Sequence, residues 1–322
     1  MSVGGDAGWG FADIPRQDDR TVLVTGANTG IGYAVAQALA TRGAHVVLGC
    51  RDDSKASAAA VRIRAIARRP VETLQVDLAS LAAVKRAAEE FTSRFDRLDL
   101  LINNAGVMKL DGGRQESADG FELHLGINHL GPFALTGLLL DALLATPGSR
   151  IVHTSSTAHR WAAVRLDDLD WRRRRYQPTQ AYAVSKAFNL MTVYELQRRL
   201  TAAGHRTIAV AAHPGFVRTA MTMGRGSTAA LRAVAHPRLR RATSWLLQDG
   251  TDAALPTLRA AVDPHASGGD FYGPGGIAQL TGAPVRVEAG GRARDTTLQQ
   301  QLWEHSSTRT GVDFTHLNEN RR

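Results

Sequence analysis

One cysteine, Cys50, stands in 322 residues, so the chain can form no internal disulfide and no cysteine-rich metal site. Lysine is almost as scarce. It occurs only at Lys55, Lys85, Lys109 and Lys186, and arginine carries nearly all of the formal net charge of +9. No apolar run reaches the ~18 residues that a membrane span needs. Met1 to Arg20 lacks the basic start and apolar stretch of a secretory signal, so a cytoplasmic protein with no membrane span is expected. The 11 histidines include no close pair joined to a carboxylate at metal-ligand spacing, and no metal is expected. There is no Gly-x-Ser-x-Gly elbow to support a serine hydrolase. The basic balance raises the question of nucleic acid, but the arginines are scattered. Their one dense run, Arg172 to Arg175, has no helix-turn-helix, zinc-finger or RNA-binding signature around it, and reads as an arginine-rich surface.

What is present is alternation. Thr21 to Thr25 is a short run of β-branched and apolar residues, read as a buried strand. It enters Gly-Ala-Asn-Thr-Gly-Ile-Gly, Gly26 to Gly32, and then a helical run, Tyr33 to Arg42. Strand, glycine turn and helix start form a phosphate site, because backbone N–H groups and the helix dipole face an anion and glycine permits close approach. The spacing is Gly-x-x-x-Gly-x-Gly, and no Gly-Lys-Ser/Thr follows, so it is not a P-loop.

Further strands are expected at Ala44 to Cys50, Val71 to Val76, Leu98 to Ile102, Arg150 to Thr154 and Ile208 to Ala212. Helices are expected at Ser54 to Arg68, Leu81 to Arg94, about Asp119 to Leu144, and from Thr179 to Leu200. The pattern implies an α/β fold, a doubly wound parallel sheet of Rossmann type, in a single domain. In such a sheet ligands bind beyond the carboxyl ends of the strands. Gly26 to Gly32, Arg51, Asp77, Asn103 to Gly106, Ser155-Ser156 and Pro214-Gly215 all fall there.

Tyr182 and Lys186 stand four apart at the start of the last long helix, on one face and one turn apart. A free phenol has a pKa of about 10, and a neighbouring ammonium should pull it down towards neutrality. Alone, the pair reads more simply as a partly buried tyrosine beside a solvated lysine. The common placement of the other pieces favours a proton donor.

Together these residues resemble the short-chain dehydrogenase/reductase family over about Arg20 to Gly275. Thr25 to Gly32 matches its Thr-Gly-x-x-x-Gly-x-Gly, Asn103 to Gly106 its Asn-Asn-Ala-Gly, and Tyr182 to Lys186 its Tyr-x-x-x-Lys. Gly49-Cys50-Arg51, Asn128-His129-Leu130-Gly131 and His213-Pro214-Gly215 are similar to the branch that holds retinol dehydrogenases and the WW-domain-containing oxidoreductase. The resemblance implies a catalytic set of Asn128, Ser156 (Ser155 as fallback), Tyr182 and Lys186. Tyr182 would give the proton and Ser156 would hold the carbonyl. Lys186 would lower the tyrosine pKa and bond the nicotinamide ribose, and Asn128 would help anchor a relay water. Cofactor contacts are implied at Gly26, Asn28, Thr29, Gly30, Ile31, Gly32, Arg51, Asp77, Leu78, Asn104, Ala105, Gly106, Tyr182, Lys186, Pro214, Gly215, Val217 and Thr219.

NAD-preferring relatives carry an acid at the end of the second strand, where this chain has Cys50 and then Arg51. Arginine can pair with a 2′-phosphate, so NADP(H) is expected over NAD(H). The resemblance implies that the segment over about 216–248 closes over the substrate as a lid, and its Met221, Met223, Leu231, Trp245 and Leu246 suggest a small hydrophobic or aromatic carbonyl or alcohol substrate. Residues 1–19 and 281–322 read as extensions of a domain over 20–280. Leu130 to Leu144 and Ala181 to Leu200 are apolar over more than one face, and matching helices pair between subunits in many relatives, so a homo-oligomer is expected. A reductase of conjugated carbon–carbon bonds and a non-catalytic dinucleotide-binding sensor or scaffold are the alternatives.

Overall fold

The computed structural model describes residues 8–217 and 250–317. Its centre is an eight-stranded sheet: β1 (Thr21–Thr25), β2 (His45–Cys50), β3 (Val71–Gln75), β4 (Leu100–Asn103), β5 (Arg150–Thr154), β6 (Ile208–Ala212), β7 (Phe271–Pro274) and β8 (Pro284–Arg286). The spatial order is β3-β2-β1-β4-β5-β6-β7-β8. All neighbours pair parallel except β8, which runs antiparallel to β7. The order reverses between β1 and β4, where a doubly wound sheet opens its crevice.

Helices cover both faces, which is why the strands are apolar runs and not alternating ones. Leu23, Val47, Leu101 and Ile151 point into one layer. It is closed by Phe91 of α3 (Leu81–Arg94), Phe133 of α5 (Gly131–Leu138) and Phe188 of α7 (Pro178–Ala202). Val24, Leu48, Ile102 and Val152, next along each strand, point into the other. There α1 (Gly30–Thr41), α2 (Asp53–Arg64) and α8 (Leu255–Val262) supply Leu39, Ile63 and Leu258.

Two sequence expectations change, and two strands are added. The helix expected over Asp119 to Leu144 starts at Leu123 and is broken: a single turn, α4 (Leu123–Leu125), runs into a π-helical turn, Gly126–Leu130, and then into α5 and α6 (Leu140–Leu144). The π turn carries Asn128, and an inserted residue of this kind re-aims a side chain. The second helix stops at Arg64, where the Arg64 guanidinium turns back to the Val71 carbonyl. Strands β7 and β8 were not foreseen, since Gly273, Pro274 and Pro284 break their apolar signal.

The C-terminal segment builds β8 and then α9 (Thr296–Thr310), which lies over α5 and α7. Phe133, Trp303 and Phe314 pack pairwise with centroids 4.5–5.0 Å apart. Gly137 has to be small, because a Cβ there would stand 2.4 Å from Val312. Part of the apolar surface of 130–144 and 181–200 packs against the chain's own tail.

Candidate active site

The strand ends form a ledge, and three of them are bolted together at Thr25. Its Oγ1 accepts the backbone N–H groups of Asn104 and Ala105, both at 3.0 Å, and donates to the Ile102 carbonyl. Its carbonyl accepts from Asn104 Nδ2 at 2.9 Å, and Gly26 N–H reaches the Gly49 carbonyl at 2.7 Å. Above this lies the glycine turn. Gly26 and Gly30 sit at φ +68° and +59°, in the left-handed region. A Cβ on Gly32 would stand 2.4 Å from the Gly26 carbonyl oxygen and 2.5 Å from Asn104 Nδ2, so only glycine fits.

Helix α1 begins there without a cap. Thr29 makes no side-chain cap bond and the first turn holds no acid. By contrast Asp52, Ser80 and Asp295 cap α2, α3 and α9. The opening N–H groups of α1 thus lack a side-chain acceptor and nothing acidic repels an anion, which is what a pyrophosphate needs. The cradle fits a dinucleotide.

At the end of β2, Cys50 is buried, with the Ala27 and Asn28 N–H groups directed at its sulfur. Burial pushes its thiol pKa up. Arg51 is exposed and, among the described residues, has no ion pair or side-chain hydrogen bond. The two acids behind it belong to α2: Asp52 accepts from Lys55 N–H at 3.0 Å and pairs with Lys55 Nζ at 2.9 Å, and Asp53 opens the first turn. Asp77 Oδ1 turns the chain after β3 by accepting from Ala79 N–H. Leu78 lies flat on α5, its carbonyl 2.5 Å from where a Gly131 Cβ would be.

Pro178 occupies the first turn of α7, where its missing N–H costs nothing, and the helix then presents Tyr182, Ser185 and Lys186. Lys186 Nζ donates to the Thr154 carbonyl at 3.1 Å, beside Asn189 Nδ2 at 2.9 Å. Gly106 faces the same point: a Cβ there would lie 3.1 Å from Asn128 Oδ1 and 3.2 Å from Lys186 Nζ. Asn128 accepts from Val107 N–H at 2.7 Å and donates to the Val107 carbonyl at 2.9 Å and to Ser185 Oγ at 3.0 Å. Ser185 in turn donates to the Tyr182 carbonyl at 2.7 Å. The Asn128 amide is therefore a clamp on the segment after β4, with both amide hydrogens used inside the protein.

The serine pair divides its work. Ser155 Oγ donates to the Lys186 carbonyl at 2.8 Å and ties β5 to α7. Ser156 opens the 3-10 turn Thr157–Trp161, its Oγ accepting from Ala158 N–H at 3.2 Å, and its hydroxyl acts on the Tyr182 phenol. Burial pushes the Tyr182 phenol pKa up, and the Ser156 hydroxyl only partly offsets this. The depression by Lys186 expected from the sequence is absent. The ammonium stands 6.0 Å from the ring centroid, is turned to Thr154, and is itself held down to about 8 by burial.

The turn after β6 is fixed by His213, whose Nδ1 accepts from Gly215 N–H at 3.2 Å while Nε2 faces Gln279 Oε1 at 3.0 Å. Burial keeps that imidazole neutral, with a pKa of about 3. Gly215 is at φ +71°, with the Leu280 carbonyl 2.3 Å from a notional Cβ. Val217 is buried; Thr219 and nearly all of the expected lid lie outside the described residues. Sequence reasoning passed over Thr25, Thr154, Ser185 and Asn189. Thr25 and Ser185 stand inside motifs that were recognised, whereas Thr154 acts through its carbonyl and leaves no sequence signal.

Residues 20–230 match the family profile described as short chain dehydrogenase. The chain is similar to human retinol dehydrogenase 13, at 38% identity over 307 residues, covering 93% of this chain and 87% of the relative. An uncharacterized protein from Mycobacterium paratuberculosis is similar in structure, with 39% identity, a TM-score of 0.78, and coverage of 96% of this chain and 99% of that one. A short chain dehydrogenase from Shigella flexneri 2a complexed with NADP shares 25% identity at a TM-score of 0.60, over 79% of this chain and 96% of that one.

Proposed function

The chain belongs to the short-chain dehydrogenase family, and from that premise we propose that it is an NADP(H)-dependent oxidoreductase. It reduces the ketone or aldehyde of a small hydrophobic or aromatic molecule, or runs the reverse oxidation. The observation that carries this is the meeting of Tyr182, Ser156 and Lys186 beside a glycine cradle that fits a dinucleotide.

The bound cofactor supplies the hydride; the residues of the chain manage the oxygen. Ser156 donates to the carbonyl oxygen and places it next to the Tyr182 hydroxyl. As charge develops on that oxygen Tyr182 delivers its proton, and in the oxidative direction it takes one back. Burial, which raises the phenol pKa, keeps Tyr182 protonated as a donor for reduction. Lys186, next to Gly106 and Asn128 and anchored on the Thr154 carbonyl, would hold the nicotinamide ribose.

The preference for NADP(H) is supported by the exposed Arg51, by the absence of an acid at Cys50, and by Asp52 being committed to its helix cap. The Shigella neighbour is described as an NADP complex, and the human relative is named for retinol, an apolar alcohol. Met108, Leu110 and Trp161, exposed on segments that follow β4 and β5, agree with an apolar substrate. The test is a carbonyl panel assayed by cofactor absorbance with NADPH and with NADH. Turnover of apolar carbonyls with NADPH supports the proposal; turnover confined to NADH or to charged substrates contradicts it.

A further inference from the structure

Next to the Tyr182 ring stands a buried acid–imidazole pair that belongs to none of the motifs above. Glu122 and His124 are each 1 % exposed. His124 meets Tyr182 edge to face, with centroids 6.0 Å apart and planes at 73°. Its Nε2 lies 3.1 Å from the backbone N–H of Lys109, a group that can only donate, so this nitrogen carries the lone pair. The ring proton is therefore on Nδ1, which lies 2.9 Å from Glu122 Oε1. Tyr176 donates to the same oxygen at 2.8 Å, and Leu125 N–H donates to Oε2 at 2.8 Å. Both carboxylate oxygens accept from donors, Oε1 from His124 and Tyr176 and Oε2 from Leu125, as an ionised carboxylate does. One arrangement of protons satisfies every member of the network.

The network has a definite target. The segment after β4 is gripped at Val107 by both polar atoms of Asn128 and at Lys109 by His124. It follows Gly106, whose α-carbon faces Lys186 Nζ. Among the described residues Glu122 has no arginine or lysine ion pair, and burying a carboxylate in that way costs stability. We propose that Glu122 and His124 are positioning residues for proton transfer at Tyr182, an inference that rests on the role given to Tyr182 above. Glu122 sets the tautomer of His124, and His124 holds both the 107–109 segment and the edge of the tyrosine ring. Both act through Tyr182 and the 107–109 segment.

Two substitutions separate hydrogen bonding from packing. His124→Phe keeps a ring edge against Tyr182 but has no acceptor for Lys109. His124→Gln loses the ring but can place Oε1 where Nε2 was. The expected result in the full chain is a tenfold to hundredfold lower kcat for His124→Phe, on the order of what a small misplacement costs, with KM for NADPH within about twofold. His124→Gln should recover most of that loss. Glu122→Gln should lower kcat as well, and its combination with His124→Phe should be no worse than His124→Phe alone. Amide exchange adds a readout that needs no substrate: in His124→Phe the Lys109 amide should exchange faster while Val107 stays protected by Asn128. Wild-type kcat in His124→Phe would overturn the proposal. So would His124→Gln falling as far as His124→Phe, or a Lys109 amide unchanged in the phenylalanine variant. If the wild type turned over no carbonyl, the functional assignment would fail on that result, and the Lys109 amide would still decide whether His124 holds the segment.

Discussion

On the proposed preference for NADP(H), Arg51→Ala should leave an enzyme with little choice of cofactor. The two cofactors differ only in the 2′-phosphate, so preference must come from groups next to the adenosine ribose. Arg51 is the first residue past β2 and is exposed, and Asp52 spends its carboxylate on Lys55. Hydrogen bonds to charged groups are worth roughly 1.5–3 kcal/mol, and a guanidinium can make two to one phosphate. Exposure to solvent and salt puts this contact near the lower figure, about 1.5 kcal/mol, or roughly tenfold in affinity. The assay is steady-state kinetics with both cofactors at low and high salt. Expected are a KM for NADPH raised about tenfold, an unchanged KM for NADH, and a wild-type preference that shrinks as salt rises. Equal losses for the two cofactors, or a preference indifferent to salt, would refute the reasoning.

Two further outcomes follow from burial. Lys186 has a pKa of about 8 in the fold against about 10.4 in an unfolded chain, so the unfolded state binds more protons between those values and stability rises with pH across them. Relative to Lys186→Met, which cannot titrate, the wild type should gain on the order of 3 kcal/mol between about pH 7 and pH 10.5 in urea unfolding; a flat difference would show that the ammonium is not desolvated. Gly32→Ala should cost roughly 1–3 kcal/mol and abolish cofactor binding, since its methyl would meet the Gly26 carbonyl and the Asn104 amide, and cofactor fluorescence with a melting curve would show both.

The sheet up to β6 was legible in the sequence because those strands are buried on both faces and so read as continuous apolar runs, Val22 to Val24 and Leu100 to Ile102 among them. The glycine turn and the Tyr182–Lys186 spacing were legible because backbone geometry and helix periodicity are local. What escaped is what tertiary contacts impose. The π turn at Asn128 is hidden inside an apolar run, and the grip of its side chain on Val107 lies 21 residues away along the chain. The direction of the Tyr182 pKa was misjudged because spacing shows a neighbouring lysine but not that the lysine is turned to Thr154 and that both groups are desolvated. Glu122 and His124 carried no signal, since only the fold reveals that His124 lies against Tyr182.

The central claim is that Tyr182 is the proton donor, and Tyr182→Phe tests it most directly. Phenylalanine keeps the ring against His124 and removes only the hydroxyl. A positioned acid contributes about 10²–10⁴-fold to rate, so carbonyl reduction should fall by that factor while the affinity for NADPH stays within about twofold. A Tyr182→Phe enzyme that kept most of its turnover would contradict the assignment.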